Sequence, residues 1–391
     1  MLALPGFTDL YARLREPGLS RMGTIDSESH AALAAGFTRV LAAPDTSPVV
    51  DSVATVEQIL RLSAASTGAE VLPMAALTRN LDGEQLAELA TLKAAGAVAA
   101  SQADRPIANT QVLYNAFEYA ASFDLPLIMT PRDALLGAAG CVHAGARATR
   151  MGLPGIPVAA ETIALASYLE IAREVGARLH LSRLSSAEAL TLVDDARQRG
   201  IGVTADVGVS HLFHTDDDIV GFDNRFHSAV PLRSAHDRDA LRAGVAKGLV
   251  DAICSDHAPL DADARLAPFA SSLPGISTYD FMLPMLLELV RDETLSWSRL
   301  VDALALAPER ILFSDERRGR NQPTASDQPG SLTVGNIANI VLLDTSTEYL
   351  PAAATMLSKG HNSPLPGDEA QVLTGRTVAV CRGNHYMALS H

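Results

Sequence analysis

The alternation of short apolar runs with longer helical patterns most constrains how this chain can fold. The apolar runs, each typical of a strand buried on both faces, are 3–10, 38–43, 70–76, 97–101, 126–130, 178–184, 202–207 and 251–255. The helical patterns between and after them are 27–35, 54–64, 84–94, 110–122, 160–175, 186–199, 237–247, 279–291 and 298–306. This alternation predicts an α/β fold, either a (β/α)8 barrel or a doubly wound sheet, because both are built from such units.

The last part of the chain departs from this pattern. The stretch 314–331 is polar and rich in turn-forming residues, which predicts a linker, and short β-type runs follow at 338–343, 371–380 and 385–389. We therefore predict a barrel domain over 1–313, a linker over 314–331 and a small β-domain over 332–391. Apolar residues make up 48% of the 391 residues, which is enough for a large core.

Charge and cysteine content exclude several classes of protein. The formal net charge of -14 argues against nucleic acid or an anionic membrane as a partner. The three cysteines, Cys141, Cys254 and Cys381, lie far apart and offer neither a disulfide framework nor a paired zinc motif. No basic segment leads into an apolar run at the N-terminus, and no run approaches the length of a membrane span. We expect a cytoplasmic protein.

The first apolar run leads into a loop of distinctive spacing, with Asp9, Tyr11, Arg13 and Arg15 at every second position and then Glu16-Pro17-Gly18. This loop resembles the opening signature of the dihydroorotases in the cyclic amidohydrolase family, which reads Asp-x-His-x-His-x-Arg and then Glu-Pro-Gly. In that signature two histidines bind one metal, because residues two apart on a strand point the same way. Tyr11 and Arg13 occupy the two histidine positions here.

The resemblance decides between the two candidate folds. It implies a (β/α)8 TIM barrel of the metal-dependent hydrolase type, with a small β-domain that relatives build from both chain ends. The segment 358–364 resembles part of the C-terminal half of that domain. Because Met1 lies almost on the first strand, we expect the N-terminal half of the small domain, one half of a sandwich, to be missing or cut short.

The other metal-site positions of the family also carry residues that cannot bind a metal. The bridging carboxylate after the fourth strand falls on Gln102 or Ala103, the histidine after the fifth strand on Pro131, and the histidine after the sixth strand on Arg183. His180 remains but corresponds to a structural histidine. Asp104 leaves a shifted ligand open, although a loop aspartate turned to solvent is the preferred interpretation.

The residues at the end of the eighth strand are similar to those of the family. Cys254-Ser255-Asp256-His257-Ala258-Pro259 closely resembles the family's Asp-His-Ala-Pro motif, and Asp256 matches its proton-transfer aspartate. Arg15 matches a substrate-binding arginine. Three further substrate contacts of the family are replaced, by Asp45, Ala229 and Leu260.

These substitutions predict that the chain holds no zinc, although active relatives are expected to hold it, and no other cofactor. An arginine has no lone pair for a metal and stays protonated at any working pH. A relocated site at His211 and His214 would have only Asp206 to complete it, so none is expected there. Asp256 would be costly to bury alone as an anion. We therefore predict Arg13 or Arg183 within hydrogen-bonding reach of it, at about 2.7–3.2 Å.

Three functions remain open at this point. The first is that the chain is not an enzyme but a dihydroorotase homologue in pyrimidine biosynthesis, kept as a structural partner of the aspartate transcarbamoylase catalytic chain. That partner, and a homo- or hetero-oligomer, are what the resemblance to inactive bacterial relatives implies, and the loop 260–276 is the candidate contact. The alternative is an active cyclic-amide hydrolase with an atypical or absent metal site. The third is a sensor that binds a small anion through Arg13, Arg15 and Arg183.

Overall fold

A computed structural model describes residues 1–313, 332, 334, 337–351, 355–364, 372–383 and 385–389. The predicted linker at 314–331 lies outside these residues. In chain order the strands are β1 Leu2–Pro5, β2 Phe7–Ala12, β3 Phe37–Ala42, β4 Glu70–Ala76, β5 Ala99–Ser101, β6 Leu127–Met129, β7 Val142–His143, β8 Gly155–Ile156, β9 Leu179–Leu181, β10 Val203–Gly208, β11 Ala252–Cys254, β12 Asn339–Tyr349, β13 Leu373–Arg382 and β14 His385–Ala388.

Eight parallel strands form a nearly closed barrel, which confirms the predicted architecture. Their order around the barrel is β2, β3, β4, β5, β6, β9, β10 and β11. The first and last strands meet where the backbone N–H of Arg13 donates to the carbonyl of His257 at 2.7 Å. The small parallel pair β7 and β8, which the sequence pattern did not predict, lies in the loop after β6.

The helices are α1 Ile25–Ala34, α2 Val53–Ala65, α3 Leu89–Ala95, α4 Thr110–Ser122, α5 Ala146–Met151, α6 Val158–Val175, α7 Ala187–Gln198, α8 Ala235–Lys247, α9 Tyr279–Arg291, α10 Trp297–Val301 and α11 Ala307–Leu312. A π-helical segment, Asp302–Leu306, joins α10 to α11. Short 3-10 turns occur at Arg79–Leu81, Val209–Leu212, Asp216–Asp218, Val220–Phe222, Asn224–Phe226, Asp263–Arg265 and Phe269–Ser271.

Local signals set the ends of these helices. Ser234 caps α8 by accepting a hydrogen bond from the backbone of Asp237, whose own side chain bonds back to the cap, and Gly248 ends the helix at a φ of 76°. The third helix begins later than the predicted 84–94. Residues 79–87 instead make cross-loop backbone bonds, such as that from Ala87 N to Leu77 O.

The core has two layers, as expected for a barrel. One cluster joins outward-facing strand residues such as Val40 and Leu179 to the surrounding helices. A second cluster contains Leu41, Ile128 and Cys254 from the same strands, with little contribution from helices, and fills the barrel interior. Among the described residues, no helix combines the length and apolarity needed to cross a bilayer.

The small sheet has the order β1, β12, β13 and β14, so the chain start contributes a strand to it. The single predicted strand 3–10 is therefore two strands, and the first of them is the one strand that the N-terminal end contributes to this sheet among the described residues. The break falls at Gly6. A Cβ there would lie 2.3 Å from Asn339 Oδ1 and 2.5 Å from Thr38 Cγ2, so only glycine fits between barrel and small sheet.

The segment 357–364 ties the small sheet to the mouth of the barrel. The amide of Asn362 donates to the carbonyls of Ala258 and Gly275, each at 2.9 Å. Ser358 Oγ donates to Glu28 at 2.7 Å. These bonds fix the loop that follows β11, which carries Asp256.

Candidate active site

The C-terminal ends of the barrel strands bring a set of charged residues together, in the place where barrels of this type carry their active sites. The residues come from different strand ends, namely Arg13 after β2, Asp45 after β3, Asp104 after β5, Arg183 after β9 and Asp256 after β11. They are linked in one chain of ion pairs, in which Asp45, Arg13, Asp104, Arg183 and Asp256 alternate in charge. We call these five residues the ion cluster.

Arg183 is the most deeply buried member of the ion cluster, with no exposed surface. Its Nη1 donates to Asp256 Oδ1 at 2.8 Å, and its Nη2 donates to Asp104 Oδ1 and Thr130 Oγ1, each at 2.5 Å. The predicted pairing with Asp256 is confirmed for Arg183. Arg13 Nη1 lies 3.7 Å from Asp256 Oδ1, which is an ion pair but too long for a hydrogen bond.

Arg13 connects the ion cluster to β2, the first strand of the barrel. Its Nε donates to Asp45 at 2.8 Å, and its Nη2 donates to the Tyr11 hydroxyl at 3.1 Å and also to Asp104. The ring of Tyr11 lies beneath Arg183, with the guanidinium carbon 3.8 Å from the ring centroid. Burial raises the pKa of Tyr11, so its hydroxyl stays neutral.

The ion pairs of the cluster favour the charged forms of Asp104 and Arg183. Burial alone would raise the pKa of Asp104, but the guanidiniums of Arg13 and Arg183 outweigh it and hold that pKa well below its usual range. Burial likewise opposes the charge on Arg183, and its carboxylate partners raise its pKa well above the ordinary value. The expectation that Asp104 faces solvent is therefore wrong, because two cations draw its carboxylate into the mouth.

Asp256 has a backbone conformation that few residues other than glycine adopt. Its φ is 46°, and those of Arg15 and Arg183 are 66° and 60°, all in the left-handed region. Such conformations cost about 1 kcal/mol or more each and persist where surrounding bonds impose them. Asp256 Oδ2 makes no hydrogen bond to any residue that the structure describes, so one oxygen of this carboxylate is bound to guanidinium and the other is uncommitted.

A second polar network supports the loop that carries Asp256. The carboxylate of Asp9 accepts from Ser255 N at 2.9 Å and from the Tyr279 hydroxyl at 2.7 Å. Burial raises the pKa of Asp9 to about 6, although the hydrogen bonds from Ser255 and Tyr279 act against the shift. His257 Nε2 contacts Glu28 at 2.8 Å. We call Asp9, Ser255 and Tyr279 the Asp9 network.

The residues present do not fit a metal ion. Tyr11, Arg13 and Arg183 are bound in the ion cluster, and Pro131 has no donor atom. Gln102 bonds to Thr78 at 2.9 Å, and Ala103 offers no ligand. Over the part of the chain that the structure describes, there is no group of three or more histidine, cysteine or acidic side chains placed to hold a metal.

The relocated metal pair that the sequence left open is not assembled. Asp206 is occupied by His180 at 2.9 Å and by the backbone N–H of Arg183 at 2.5 Å. His211 Nε2 contacts the carbonyl of Val230 at 3.2 Å. Burial lowers the pKa of both His211 and His214, that of His214 to about 4. Burial therefore disfavours the charged forms of His211 and His214.

The positions that match substrate contacts of the family differ in how they are bonded within the protein. Asp45 is bound to Arg13, and Leu260 is buried, with its backbone N–H bonded to Asn362. Arg15 donates from Nε to the carbonyl of Pro259 at 2.9 Å and forms no ion pair with a described residue. Burial and the nearby charge of Arg13 lower the pKa of Arg15 to about 10.

A cleft opens beside the ion cluster. It has about 350 Å³ of empty space, solvent at its rim included, and its lining includes Thr130, Pro131, Arg132, Ser185 and Arg233. Sequence reasoning did not single out Arg132 or Thr130. Their only signal was position, directly after the fifth strand and beside Pro131.

Comparison with known proteins agrees with this architecture. Residues 1–189 match the family model described as dihydro-orotase-like. The dihydroorotase-like proteins of Pseudomonas putida and Pseudomonas aeruginosa are 41% and 42% identical over 94% of this chain, covering 83% and 84% of their own lengths. A dihydroorotase of Anaeromyxobacter sp. (strain K) is 39% identical over 93% of this chain and 81% of its own length.

Solved structures share the fold at low identity. An L-hydantoinase (dihydropyrimidinase) from Arthrobacter aurescens superposes with a TM-score of 0.84 at 22% identity, over 100% of this chain and 87% of its own. The inactive dihydroorotase-like domain of a Chaetomium thermophilum CAD-like multifunctional protein gives a TM-score of 0.64 at 17% identity, over 98% and 94%.

The prediction that the chain is not an enzyme is contradicted by these relatives. Chains that are 39% identical over nearly its whole length are named dihydroorotase. The reasoning behind the prediction treated loss of the metal ligands as loss of catalysis. Residues that do not fit a metal exclude only a metal-dependent route, because fixed guanidinium groups can stabilise charge and carboxylates can transfer protons.

Proposed function

The chain belongs to the dihydroorotase-like family, and we propose that it is an amidohydrolase that opens or closes a cyclic amide without a metal ion. Dihydroorotate and its ring-opened product, carbamoyl-aspartate, are the first substrates to test. The relatives named dihydroorotase support this reaction class. The metal-free route is proposed because the donor set of the site does not fit zinc.

One observation carries the proposal: a proton acceptor and a cationic donor lie side by side at the barrel mouth, each partly uncommitted. Asp256 Oδ2 and Arg13 Nη1 form no hydrogen bond with the described residues, although both side chains are otherwise bound. Arg13 Nη1 lies 3.7 Å from the other oxygen of Asp256. The carboxylate and the guanidinium can therefore both contact one substrate.

The reaction that follows needs one water molecule. Its oxygen attacks the ring amide carbon while Asp256 Oδ2 takes the proton, and the carbonyl oxygen becomes an anion. The Nη1–H groups of Arg13 stabilise that oxyanion, a contribution worth about 10²–10³ in rate for a single well-placed donor. Collapse breaks the C–N bond, and the ring nitrogen recovers the proton from Asp256. Ring closure is the reverse sequence.

Arg183 acts in this scheme as a positioning residue. It is fully buried and cannot touch a substrate, but it holds Asp256 Oδ1 and so directs Oδ2 toward the mouth. Because its side chain is fully buried, Arg183 also cannot bind a small anion from solution, as the sensor hypothesis required. The Asp9 network holds the backbone on the other side of Asp256.

The test is an assay of dihydroorotate and carbamoyl-aspartate interconversion with chelator-treated protein, its metal content measured in the same sample. We expect activity without stoichiometric metal, and a loss of at least about 10²-fold in Asp256→Asn and in Arg13→Met. Asp263→Asn, a change at an exposed carboxylate in the same loop, is the matched control and should keep full activity. Absence of turnover in both directions, or activity that returns only with added zinc, would overturn the proposal.

Association with aspartate transcarbamoylase stays a prediction and does not require an inactive site. The predicted contact loop 260–276 exposes Leu266 and Leu273 at 81% and 49%, which is favourable for a contact surface. Co-expression with the host transcarbamoylase catalytic chain, followed by size-exclusion chromatography, tests it. Separate elution at micromolar concentration, with a transcarbamoylase that is fully active alone, would refute it.

A further inference from the structure

His211 is a buried histidine with one ring nitrogen that has no partner. It lies in the 3-10 turn Val209–Leu212, directly after β10, and is 2% exposed. Its Nε2 lies 3.2 Å from the carbonyl of Val230. A carbonyl only accepts hydrogen bonds, so Nε2 carries the hydrogen of the neutral ring and Nδ1 presents a lone pair. Nδ1 is buried and has no hydrogen-bond partner among the residues that the structure describes.

This nitrogen borders the same space as the uncommitted oxygen of Asp256. Gly208, the last residue of β10, is in register with Cys254 of β11, which brings the ends of the two strands together. A Cβ on Gly208 would lie 3.2 Å from His211 Nδ1, 3.3 Å from Asp256 Cβ and 3.9 Å from Asp256 Oδ2. Because glycine has no side chain, the space between the two acceptors stays clear. We call it the Gly208 gap.

Two acceptors on one gap bond to each other only when a proton lies between them. An ionised carboxylate only accepts, but a protonated Oδ2 is an O–H donor. Asp256 in that state can donate to His211 Nδ1 across the Gly208 gap, after a small turn of the carboxyl or through one bridging water. The contact therefore belongs to one protonation state of Asp256, the state that the proposed hydrolysis forms when water gives up its proton.

The charges around His211 favour a neutral ring that accepts a hydrogen bond. Burial lowers the pKa of His211, and the guanidiniums of Arg233 and Arg183 act in the same direction, whereas the charge of Asp256 opposes them. A neutral ring can accept a bond from Asp256 without taking its proton away. The proton then stays available for the ring nitrogen of the substrate.

Two further groups lie near this turn without bonding to Nδ1. His214 is on the same segment, and burial lowers its pKa to about 4. Arg242 of α8 donates to the carbonyl of Leu212 at 2.6 Å rather than to the imidazole. Asp256 is therefore the acid whose protonation His211 Nδ1 can detect across the gap.

We propose that His211 is a positioning residue that accepts a hydrogen bond from Asp256 Oδ2 when this oxygen carries the transferred proton. The inference rests on the proposed function in taking Asp256 as the proton acceptor. The bond stabilises the protonated carboxyl and so makes Oδ2 a stronger base toward the attacking water. The proton passes from water to Oδ2 and then to the ring nitrogen of the substrate, and His211 gains none. His211 acts through Asp256 alone.

Two substitutions of His211 separate the roles of its two ring nitrogens. Glutamine places its amide near the Nε2 position, so His211→Gln keeps a donor for Val230 and removes the acceptor at the Gly208 gap. Asparagine places its amide oxygen near the Nδ1 position, so His211→Asn keeps the acceptor and loses the donor. In His211→Gln we expect kcat for ring opening to fall at least about 10-fold and KM to change less than about 2-fold. His211→Asn should keep most of kcat, whereas a purely structural bond to Val230 predicts the reverse order.

The pH profile gives a second readout that a structural role would not move. Loss of the bond to protonated Asp256 should shift the acidic limb of kcat/KM in His211→Gln to lower pH by about one unit. His214→Gln is the matched control, because His214 also has a buried ring nitrogen without a partner but is not among the atoms nearest to Gly208. It should leave kcat, KM and the profile unchanged, and thermal unfolding should show that every variant folds.

A nuclear magnetic resonance titration tests the contact without turnover and without a variant of His211. As the pH falls through the titration of Asp256, the nitrogen resonance of His211 Nδ1 should move toward that of a hydrogen-bonded acceptor. Protonation of the ring would instead change both nitrogens. The change at Nδ1 should be absent in Asp256→Ala.

The proposed function can fail separately from this inference. A change at Nδ1 that depends on Asp256, in a wild type without turnover, would support the contact and refute the hydrolase. Turnover in the wild type would support the hydrolase, and any of three results would then overturn the role of His211. These are equal kcat values in His211→Gln and His211→Asn, an unmoved acidic limb in His211→Gln, and a resonance of Nδ1 that does not depend on Asp256.

Discussion

The carboxylates at the mouth of the barrel are stabilised in two different ways. The ion cluster surrounds Asp104 and Asp256 with guanidiniums, which favour the charged form of Asp104 strongly enough to outweigh burial. The Asp9 network surrounds Asp9 with neutral donors from Ser255 and Tyr279, which do not outweigh burial, so its pKa rises to about 6. Hydrogen bonds from neutral groups therefore do not replace a cation when a carboxylate is fully buried.

The largest expected loss of stability is at Arg183, the most deeply buried residue of the ion cluster. Arg183→Met removes a cation shared by Asp104 and Asp256, which leaves Asp104 with Arg13 alone and Asp256 without a hydrogen-bonded cation. It should lower the free energy of unfolding by about 4 kcal/mol. Urea denaturation at neutral pH measures it. Adding Asp104→Asn to Arg183→Met should restore part of the loss, because one of the carboxylates that lost this cation is removed with it.

Arg21→Met is the control for this change. Arg21 is 70% exposed and pairs with Asp261 at 2.6 Å, so its loss should cost less than about 1 kcal/mol. If Arg183→Met cost no more than Arg21→Met, the ion cluster would not stabilise the fold in the way described.

The Asp9 network should make the fold less stable as the pH rises, whereas a carboxylate with a lowered pKa, such as Asp104, contributes more stability as the pH rises. Because the pKa of folded Asp9 is raised from 3.8 to about 6, the folded state binds the extra proton between these values, and stability falls as the pH rises through them. Asp9→Asn removes this loss. The free energy of unfolding of Asp9→Asn, relative to wild type, should therefore rise by about 3 kcal/mol from pH 4 to pH 7.

Urea unfolding of both proteins across this pH range measures the difference. Ser255→Ala removes a hydrogen bond that opposes the shift, so it should move the pH window upward. Parallel stability curves for wild type and Asp9→Asn would show that Asp9 does not titrate in this window.

The smallest effect is expected where the ion cluster meets a neutral hydroxyl. Tyr11→Phe keeps the ring beneath Arg183 and removes only the acceptor of the 3.1 Å bond from Arg13 Nη2. The cost should be about 1 kcal/mol by chemical denaturation. Tyr11→Ala, which also removes the ring, is the comparison and should cost several times more. Similar costs for the two variants would mean that the ring does not support Arg183.

The sequence by itself determined the barrel and one ion pair at its mouth. Runs such as 38–43 and 70–76 correspond closely to Phe37–Ala42 and Glu70–Ala76, because each strand is buried on both faces and each helix ends at a local signal. A pairing of Asp256 with Arg13 or Arg183 also followed from the sequence, since all three residues stand at strand ends that face one mouth, and the structure selects Arg183 for the hydrogen bond. A buried anion at that place needs a cation.

Only the tertiary structure decided which groups share that mouth. Asp104 lies 91 residues from Arg13 and 79 from Arg183, and the direction of its side chain depends on two cations from other strands. The strand Leu2–Pro5 was hidden because it continues the apolar run of β2, and its change of sheet at Gly6 depends on contacts with Asn339 and Thr38. Local periodicity reports backbone hydrogen bonding and burial, which act along the chain. Charge pairing and sheet exchange join distant segments, so they exist only once the barrel has closed.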